Sequence, residues 1–344
     1  MPADGEERFV TKADPSLSLH TEPSEGDLVF LPVANHDAWI YSAHFDTQPE
    51  NISKALVRVF GVARYTSDPV FCHFLNDERK VISGPGQRRF IRDAHSKKYV
   101  AAFFDCPIGP LVSPKFVTVT YNKTDEPAHW VAIHHPRPLA RNFTVCYAAL
   151  FDYNRTSQLI QSIEINRVLG AQHFYVYNYS VSPATDAVLR HYQKLGLLTV
   201  MQWRLPTLEV WYYAQNLAIN DCVYRNRIAS QFVVIQDTDE FIIPKQHDSW
   251  AELLHAVQSE FYHRPNITAN TPLASFVVET TYFHGMPSAE IWKGLMVNFS
   301  INAEDEKFLK DNDVIPFLFV QRKDYVYKYN SRVKTIVRPE HVYN

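Results

Sequence analysis

No stretch of the chain approaches the roughly 18 consecutive apolar residues of a membrane-spanning helix. The longest apolar runs, such as Ile315–Val320, are strand-sized. The first residues, MPADGEERFV, are acidic and polar, which reads as neither a secretory leader nor an anchor. An excess of charge is also missing. The formal net charge is −3, so no overall field draws the protein to nucleic acid or to an anionic membrane. Cysteine is scarce: Cys72, Cys106, Cys146 and Cys222 are spaced too widely for a zinc site of the CxxC type. Internal repeats and low-complexity tracts are absent, which excludes solenoids and fibres.

What is present is globular material: 344 residues, enough for two domains, 46% hydrophobic and 14% aromatic. One short motif is over-represented. Asn51, Asn122, Asn142, Asn154, Asn178, Asn266 and Asn298 each open an N-x-S/T triplet without proline. With eighteen asparagines, chance supplies roughly two such triplets, and seven are present. The excess points to a lumenal protein, with coincidence in a cytosolic one as the alternative. Asn154, in a site loop, and Asn178, at a strand end, are poor positions for glycans. The cysteines fit the same compartment. Of the three possible pairings, Cys72–Cys106 and Cys146–Cys222 are favoured, with four reduced buried thiols as the alternative.

Residues 1–26 are polar and rich in Pro, Ser, Glu and Asp, the texture of a disordered lead-in. Residues 27–138 read as all-β. AWIYSAHF, ALVRVFGVARY, YVAAFFDC, KFVTVTYN and HWVAIHH are short β-branched and aromatic runs, separated by turn clusters such as SGPGQ and NKTDEP. That spacing predicts a β-sandwich. HHPRPLAR then reads as a linker. From residue 141 the rhythm changes, and strands alternate with helices. Strands are expected at 142–151, 173–180, 197–203 and 232–236, and helices at 157–170, 182–196, 211–227 and 249–262. The first helix should bury Leu159, Ile160, Ile163 and Val168. The second has a Ser182 cap, Pro183 in its first turn and a closing Gly196. Such alternation is the pattern of a parallel α/β sheet, whose ligands bind beyond the carboxyl ends of its strands. Three strand-like runs follow: LASFVVETTYF, VIPFLFVQ and YVYKYN.

One of those carboxyl ends is FVVIQDTDEFIIP, residues 232–244. A wholly apolar strand closes on Asp237, Asp239 and Glu240. In an extended chain Asp237 and Asp239 face one side, with Thr238 and Glu240 on the other. Two ionised carboxylates on one side call for a cation. Oxygen donors select Mg²⁺ or Mn²⁺, and ions of that type complete their shells with phosphate and water. The plain alternative is an Asp-rich turn that caps the next helix. Among chemistries, D-x-D at a strand end serves nucleotide-sugar transfer or an aspartyl-phosphate phosphohydrolase. The latter places its motif on the first strand, with Thr or Val two residues after the second Asp. Here the motif is on the fourth strand and that position is Phe241.

VCYAALFDYNRTSQLIQSIEINRVLGAQHFYVYNYS, LAINDCVYR, VVIQDTDEFIIP and VKTIVRPE together resemble glycosyltransferase family 92, over residues 141–344. Within it the chain looks most like the vertebrate β-1,4-galactosyltransferases that extend galactose-terminated N-glycans. The resemblance implies a GT-A nucleotide-sugar-binding fold after the all-β domain, Mn²⁺, UDP-galactose as donor, a galactose-terminated glycan as acceptor, and inversion at the anomeric carbon. It also implies a type II membrane protein of the Golgi whose anchor this chain lacks. Carried over by position, Asp237 contacts ribose or metal and Asp239 ligates the metal. Ala149, Phe151 and Arg155 wall the uracil pocket, Asn220 and Asp221 face the nucleotide, and Lys334 and Arg338 neutralise the diphosphate. Family members run on to a histidine that completes the metal site. His341 lies too close to the RPE segment to be that residue, so by the resemblance a third metal ligand is missing.

Inverting transfer needs a general base opposite the leaving diphosphate. Glu279, Glu290, Asp305 and Glu306 follow the D-x-D strand. Glu279 is chosen because it ends a strand-like run just before Tyr282, Phe283 and His284, which can stack on a sugar. Trp292 offers a further stacking face or a core side chain. The competing function is a carbohydrate-binding or structural module that does not turn over.

Overall fold

The computed structural model describes residues 9–12, 28–46, 55–76, 80–91, 93–108, 114–264, 267, 273–282, 293–294, 297, 300–311 and 333–341. The strand-like runs VIPFLFVQ and YVYKYN, together with Phe283, His284, Glu290 and Trp292, lie outside these residues.

The first half holds β1 (Phe9–Lys12), β2 (Leu31–Pro32), β3 (Ala38–Asp46), β4 (Leu56–Arg64), β5 (Val70–Leu75), β6 (Lys80–Phe90), β7 (Tyr99–Pro107), β8 (Phe116–Thr120) and β9 (Val131–His134). Five of these coincide with the β-rich runs of the sequence. The expected sandwich is instead a closed barrel. Its order is β6-β5-β8-β9-β3-β4-β7, and β7 pairs back onto β6. Closure runs through the segment read as a turn. SGPGQ (83–87) lies inside β6, whose Val81–Gly86 half pairs with β5 and whose Gln87–Phe90 half pairs with β7. Pro85, in register with Phe71, has no N–H to give the ladder, and a Cβ on Gly86 would lie 2.5 Å from the Cys72 sulfur. Turn-forming residues thus let one long strand bend from one partner to the next. Gly86→Ala is expected to cost about 1–3 kcal/mol by overpacking this corner. A urea-unfolding midpoint equal to wild type would refute that. The lead-in is also not wholly irregular, since β1 pairs antiparallel with β6.

The second half follows the predicted alternation: β10 (Arg141–Tyr147), α1 (Thr156–Val168), β11 (His173–Asn178), α2 (Pro183–Lys194), β12 (Leu198–Gln202), α3 (Gln215–Arg225), β13 (Ser230–Gln236) and α4 (Trp250–Tyr262). Then come β14 (Ser275–Val278), α5 (Ala303–Asp311) and β15 (Lys334–Val337). The sheet order is β12-β11-β10-β13-β15-β14. The first four strands are mutually parallel, and β15 runs antiparallel to both of its neighbours.

Ser182 caps α2 through Thr185 N–H, as predicted. The buried stripe of α1 differs from expectation. It is Leu159, Ser162, Ile163 and Asn166, while Ile160 and Val168 face outward. Ser162 and Asn166 are tolerated inside because both hydrogen-bond the buried Tyr147 hydroxyl, at 2.8 and 3.1 Å.

The sheet has two unlike faces. Helices α1, α2 and α4 cover one, around Phe143, Ile163, Leu189 and Trp250. Helix α3 covers the other and is itself roofed by the barrel, with Tyr41, Phe60 and Phe103 meeting Leu217, Cys222 and Tyr224 in one core. Both favoured disulfides are present. Cys72–Cys106 joins β5 to β7, and Cys146–Cys222 ties β10 to α3. Charge is buried beside this contact: Arg58 of β4 grips Asp105 of β7 with two bonds (2.6 and 3.1 Å) and also bonds the Tyr224 hydroxyl of α3, and Arg227 pairs with Asp46.

Candidate functional site

Because β10 to β13 are parallel, their carboxyl ends share one edge, where such sheets hold ligands. Strand β15 starts and β14 ends at that edge too, so Lys334 and Glu279 arrive there with the loops after β10, β11 and β13.

The D-x-D segment is not extended. Residues 237–240 form a turn closed twice: the Glu240 N–H donates to the Asp237 carbonyl (3.2 Å), and the Asp237 N–H donates to a Glu240 carboxylate oxygen (3.1 Å). The simple alternation of sides therefore fails. Thr238 is buried and accepts hydrogen bonds from the Tyr153 hydroxyl (3.2 Å) and the Gln158 amide (3.4 Å). Glu240 does not point away from Asp237. The two carboxylates converge on the Lys334 ammonium, which is 3.3 Å from Asp237 Oδ2 and also bonded to Glu240 Oε2. Asp239 is exposed. Its charge reaches Tyr153, whose hydroxyl pKa is raised by burial first and by Asp239 in addition. Burial alone would lower the Lys334 pKa, but the Glu240 hydrogen bond and the Asp237 charge outweigh it and hold it up. Burial pushes the Glu240 carboxyl up, Asp237 adds to this, and Lys334 offsets part of it.

The loop after β10 is aromatic. Phe151 stacks on Tyr213 (ring centroids 3.9 Å apart, planes 16° apart) and lies 5.0 Å from the Tyr179 ring. Asp152, at φ 43°, is braced by Ser180, which accepts from its N–H (2.7 Å) and donates to its carboxylate (2.8 Å). Ala149 is half-buried against the α3 core, and Arg155 is exposed just before α1. The helix expected from residue 211 starts only at Gln215. Tyr212, Tyr213 and Ala214 instead take left-handed φ values of 42°, 54° and 54°. Three successive non-glycine residues in that region cost on the order of 1–3 kcal/mol each, and such strain concentrates at functional sites. The turn is held by the Trp203 indole N–H, which donates to the Tyr213 carbonyl (2.8 Å), and by the Phe151 stack.

Three predicted residues do not join the edge. Asp221 is fully buried between α3 and the barrel, bonded to Ser42, His44, Tyr177 and Arg225, and cannot face a nucleotide. Asn220 spends its amide on the Asn216 carbonyl of its own helix (2.7 Å). Arg338 lies over the Phe232 ring, 4.6 Å from its centroid, at the amino end of β13. Four residues of strand, about 13 Å, separate it from Lys334. Glu279 is exposed and directly follows Val278, which pairs with Lys334. Asp305 and Glu306 belong to α5.

No group of three or more His, Cys, Asp and Glu side chains forms a ready metal cage among the described residues. The turn still suits a hard divalent cation. Its donors are all oxygen, Asp237 and Asp239 are accessible, and a positive group already sits between Asp237 and Glu240.

The residues that sequence reasoning passed over are Gln158, Tyr179 and Tyr213, together with the specific bond of Tyr153 to Thr238. Tyr179 had a signal, since it ends a strand at the same edge as Phe151. Tyr213 had none, because a left-handed turn without glycine leaves no mark in composition.

The sequence profile of glycosyltransferase family 92 matches residues 141–344. A glycosyltransferase family 92 protein of Caenorhabditis elegans is 24% identical over 245 residues, 66% of this chain and 47% of that protein. The β-1,4-galactosyltransferase galt-1 of the same organism is 24% identical over 239 residues, 65% of this chain and 55% of the relative. The chain therefore spans about half the length of the curated relatives it matches. Among solved structures, the apo form of the WbbM bifunctional glycosyltransferase aligns over 65% of this chain and 35% of its own, at 12% identity. Its TM-score of 0.26 is too low to bear on the fold.

Proposed function

The chain belongs to glycosyltransferase family 92, and from that premise we propose that it transfers galactose from UDP-galactose, with inversion, to a galactose-terminated glycan in β-1,4 linkage. The observation that carries this reading is the turn Asp237–Glu240. It presents two accessible aspartates at the carboxyl edge of a parallel sheet, beside an aromatic loop and a lysine. The Golgi lumen is the proposed compartment, supported by seven acceptor triplets and two buried disulfides.

Asp237 and Asp239 would hold Mn²⁺ or Mg²⁺, which when bound supplies charge stabilisation to the departing diphosphate. The remaining work falls to this chain's side chains. Phe151 and Tyr213 supply apolar faces for the base, and Lys334 supplies positive charge beside the diphosphate. Glu279, one strand beyond Lys334, takes the proton of the acceptor hydroxyl as that oxygen attacks the anomeric carbon and UDP leaves from the opposite face.

The test is UDP release from UDP-galactose with a galactosylated glycan and Mn²⁺. EDTA is expected to stop it, and Asp239→Ala to lower kcat/KM at least about a hundredfold. The variant's melting temperature should not change, because Asp239 is exposed. Activity that survives both treatments would sink the metal-dependent reading. Phosphate release from a phosphomonoester would replace it with a phosphohydrolase, and glycan binding without turnover with a binding module.

A further inference from the structure

We infer that Lys334 is a resident cation that couples metal binding to diphosphate binding. This rests on the transferase reading above. The ammonium occupies the mouth of the D-x-D turn, bonded to Glu240 and 3.3 Å from Asp237 Oδ2. Its side chain is only 23% exposed, so it is not a freely waving surface lysine. Asp237 is the aspartate expected to share a metal with Asp239, and one of its oxygens is already committed.

Two cations cannot both take that oxygen closely, since like charges a few Å apart repel by more than a surface pair would. A divalent ion arriving alone must therefore displace Lys334 or bind against its charge. A diphosphate changes the balance. It brings anionic oxygens to which a flexible four-carbon stem can redirect the ammonium. Once Lys334 turns to the phosphate, Asp237 is released to the metal. Glu240 stays in place because the Asp237 N–H also donates to it (3.1 Å). The turn thus keeps its shape while its cation is exchanged. The coupling is reciprocal: the nucleotide tightens the metal by the factor by which the metal tightens the nucleotide.

The experiment measures Mn²⁺ binding by electron paramagnetic resonance and calorimetry, with and without UDP, on the full chain. In the wild type, Mn²⁺ alone should bind weakly and UDP should tighten it at least about tenfold. Lys334→Met should bind Mn²⁺ alone about tenfold tighter than wild type, and the tightening by UDP should shrink by a similar factor. Lys334→Arg keeps the charge and should restore the weak metal-only binding. Independent binding of Mn²⁺ and UDP to the wild type would overturn the inference without recourse to any variant. So would wild-type metal affinity in a folded Lys334→Met protein. If Asp239→Ala binds Mn²⁺ as tightly as wild type in the presence of UDP, the metal reading of the turn has failed. If Asp239→Ala loses Mn²⁺ while Lys334→Met is unchanged, only the role of the lysine has failed.

Discussion

Asp221→Ala is expected to cost the fold about 3–5 kcal/mol, the range for removing one partner of a buried ion pair. The Asp221 carboxylate accepts from the Tyr177 hydroxyl (2.6 Å), the Ser42 hydroxyl (2.5 Å) and the Arg225 guanidinium (2.7 and 3.2 Å), and it faces His44 Nε2 at 2.9 Å. Burial alone would raise its pKa. The Arg225 charge and the His44 hydrogen bond outweigh that and hold the carboxyl well below the usual carboxylate range. Ser42 and His44 belong to the barrel, Tyr177 to the parallel sheet and Arg225 to α3, so this one carboxylate joins three layers. Without it, the wholly buried Arg225 loses its counter-charge and Ser42 and Tyr177 lose their acceptor. The expected signature is a large fall in the denaturation midpoint. Asp221→Asn should recover little, because it leaves Arg225 unpaired. A variant that folds like wild type but loses affinity for UDP would return Asp221 to the nucleotide-facing role its position in the family pattern suggests.

Acid is the second strong lever. Lowering the pH from 7.5 to 5 is expected to remove about 4 kcal/mol of stability through two histidines alone. His73 and His173 are almost fully buried, and burial depresses both pKa values to about 4. An unfolded histidine titrates near 6.5. Between those values the unfolded chain binds protons that the folded chain refuses, so stability falls as pH falls through that window. At pH 5 the loss is about 2 kcal/mol per histidine.

The cause is visible at His73. Nδ1 lies 2.8 Å from the Ser83 hydroxyl, and Nε2 lies 2.8 Å from the Thr120 hydroxyl, which itself donates to the Asn122 carbonyl. Thr120 must therefore accept from Nε2–H, which leaves Nδ1 to accept from Ser83. The ring is satisfied as the neutral tautomer. His44 and His134 are also lowered, first by burial, and act in the same direction. Denaturation at several pH values should show at least about two protons taken up on unfolding at pH 5, the share of His73 and His173, with His44 and His134 adding to it. Stability that stays flat from pH 7.5 to 5 would contradict the assignment.

Much of the second half was legible from sequence, because its signals are local. Apolar period, the Ser182 cap and the closing Gly196 mark strands and helices within a few residues of their observed bounds. The two cysteine pairings also emerged as favoured. The apolar run ending in Asp237 and Asp239 announced a strand terminus, and parallel alternation placed it on an edge with Phe151. Where the local pattern is degenerate, it misled. Alternating strands look the same in a sandwich and in a barrel, and SGPGQ serves a bend as well as a turn. Asp221 and Arg338 were placed by the family resemblance, position by position. Helix α3 turns Asp221 into the barrel interface, and the antiparallel run of β15 carries Arg338 to the far end of the sheet.

By itself the sequence determined most strands and helices between residues 141 and 262, the parallel alternation of β10 to β13, and the clustering of carboxylates at one strand end. Those properties depend on residues a few positions apart. Tertiary structure alone decided that the barrel closes, that Asp221 is a buried joint and that Tyr212 to Ala214 are held left-handed. It also decided that Lys334, 97 positions from Asp237, lands on its carboxylate. Such contacts arise when distant strands are forced into register by the burial of their shared faces, and no local period encodes them.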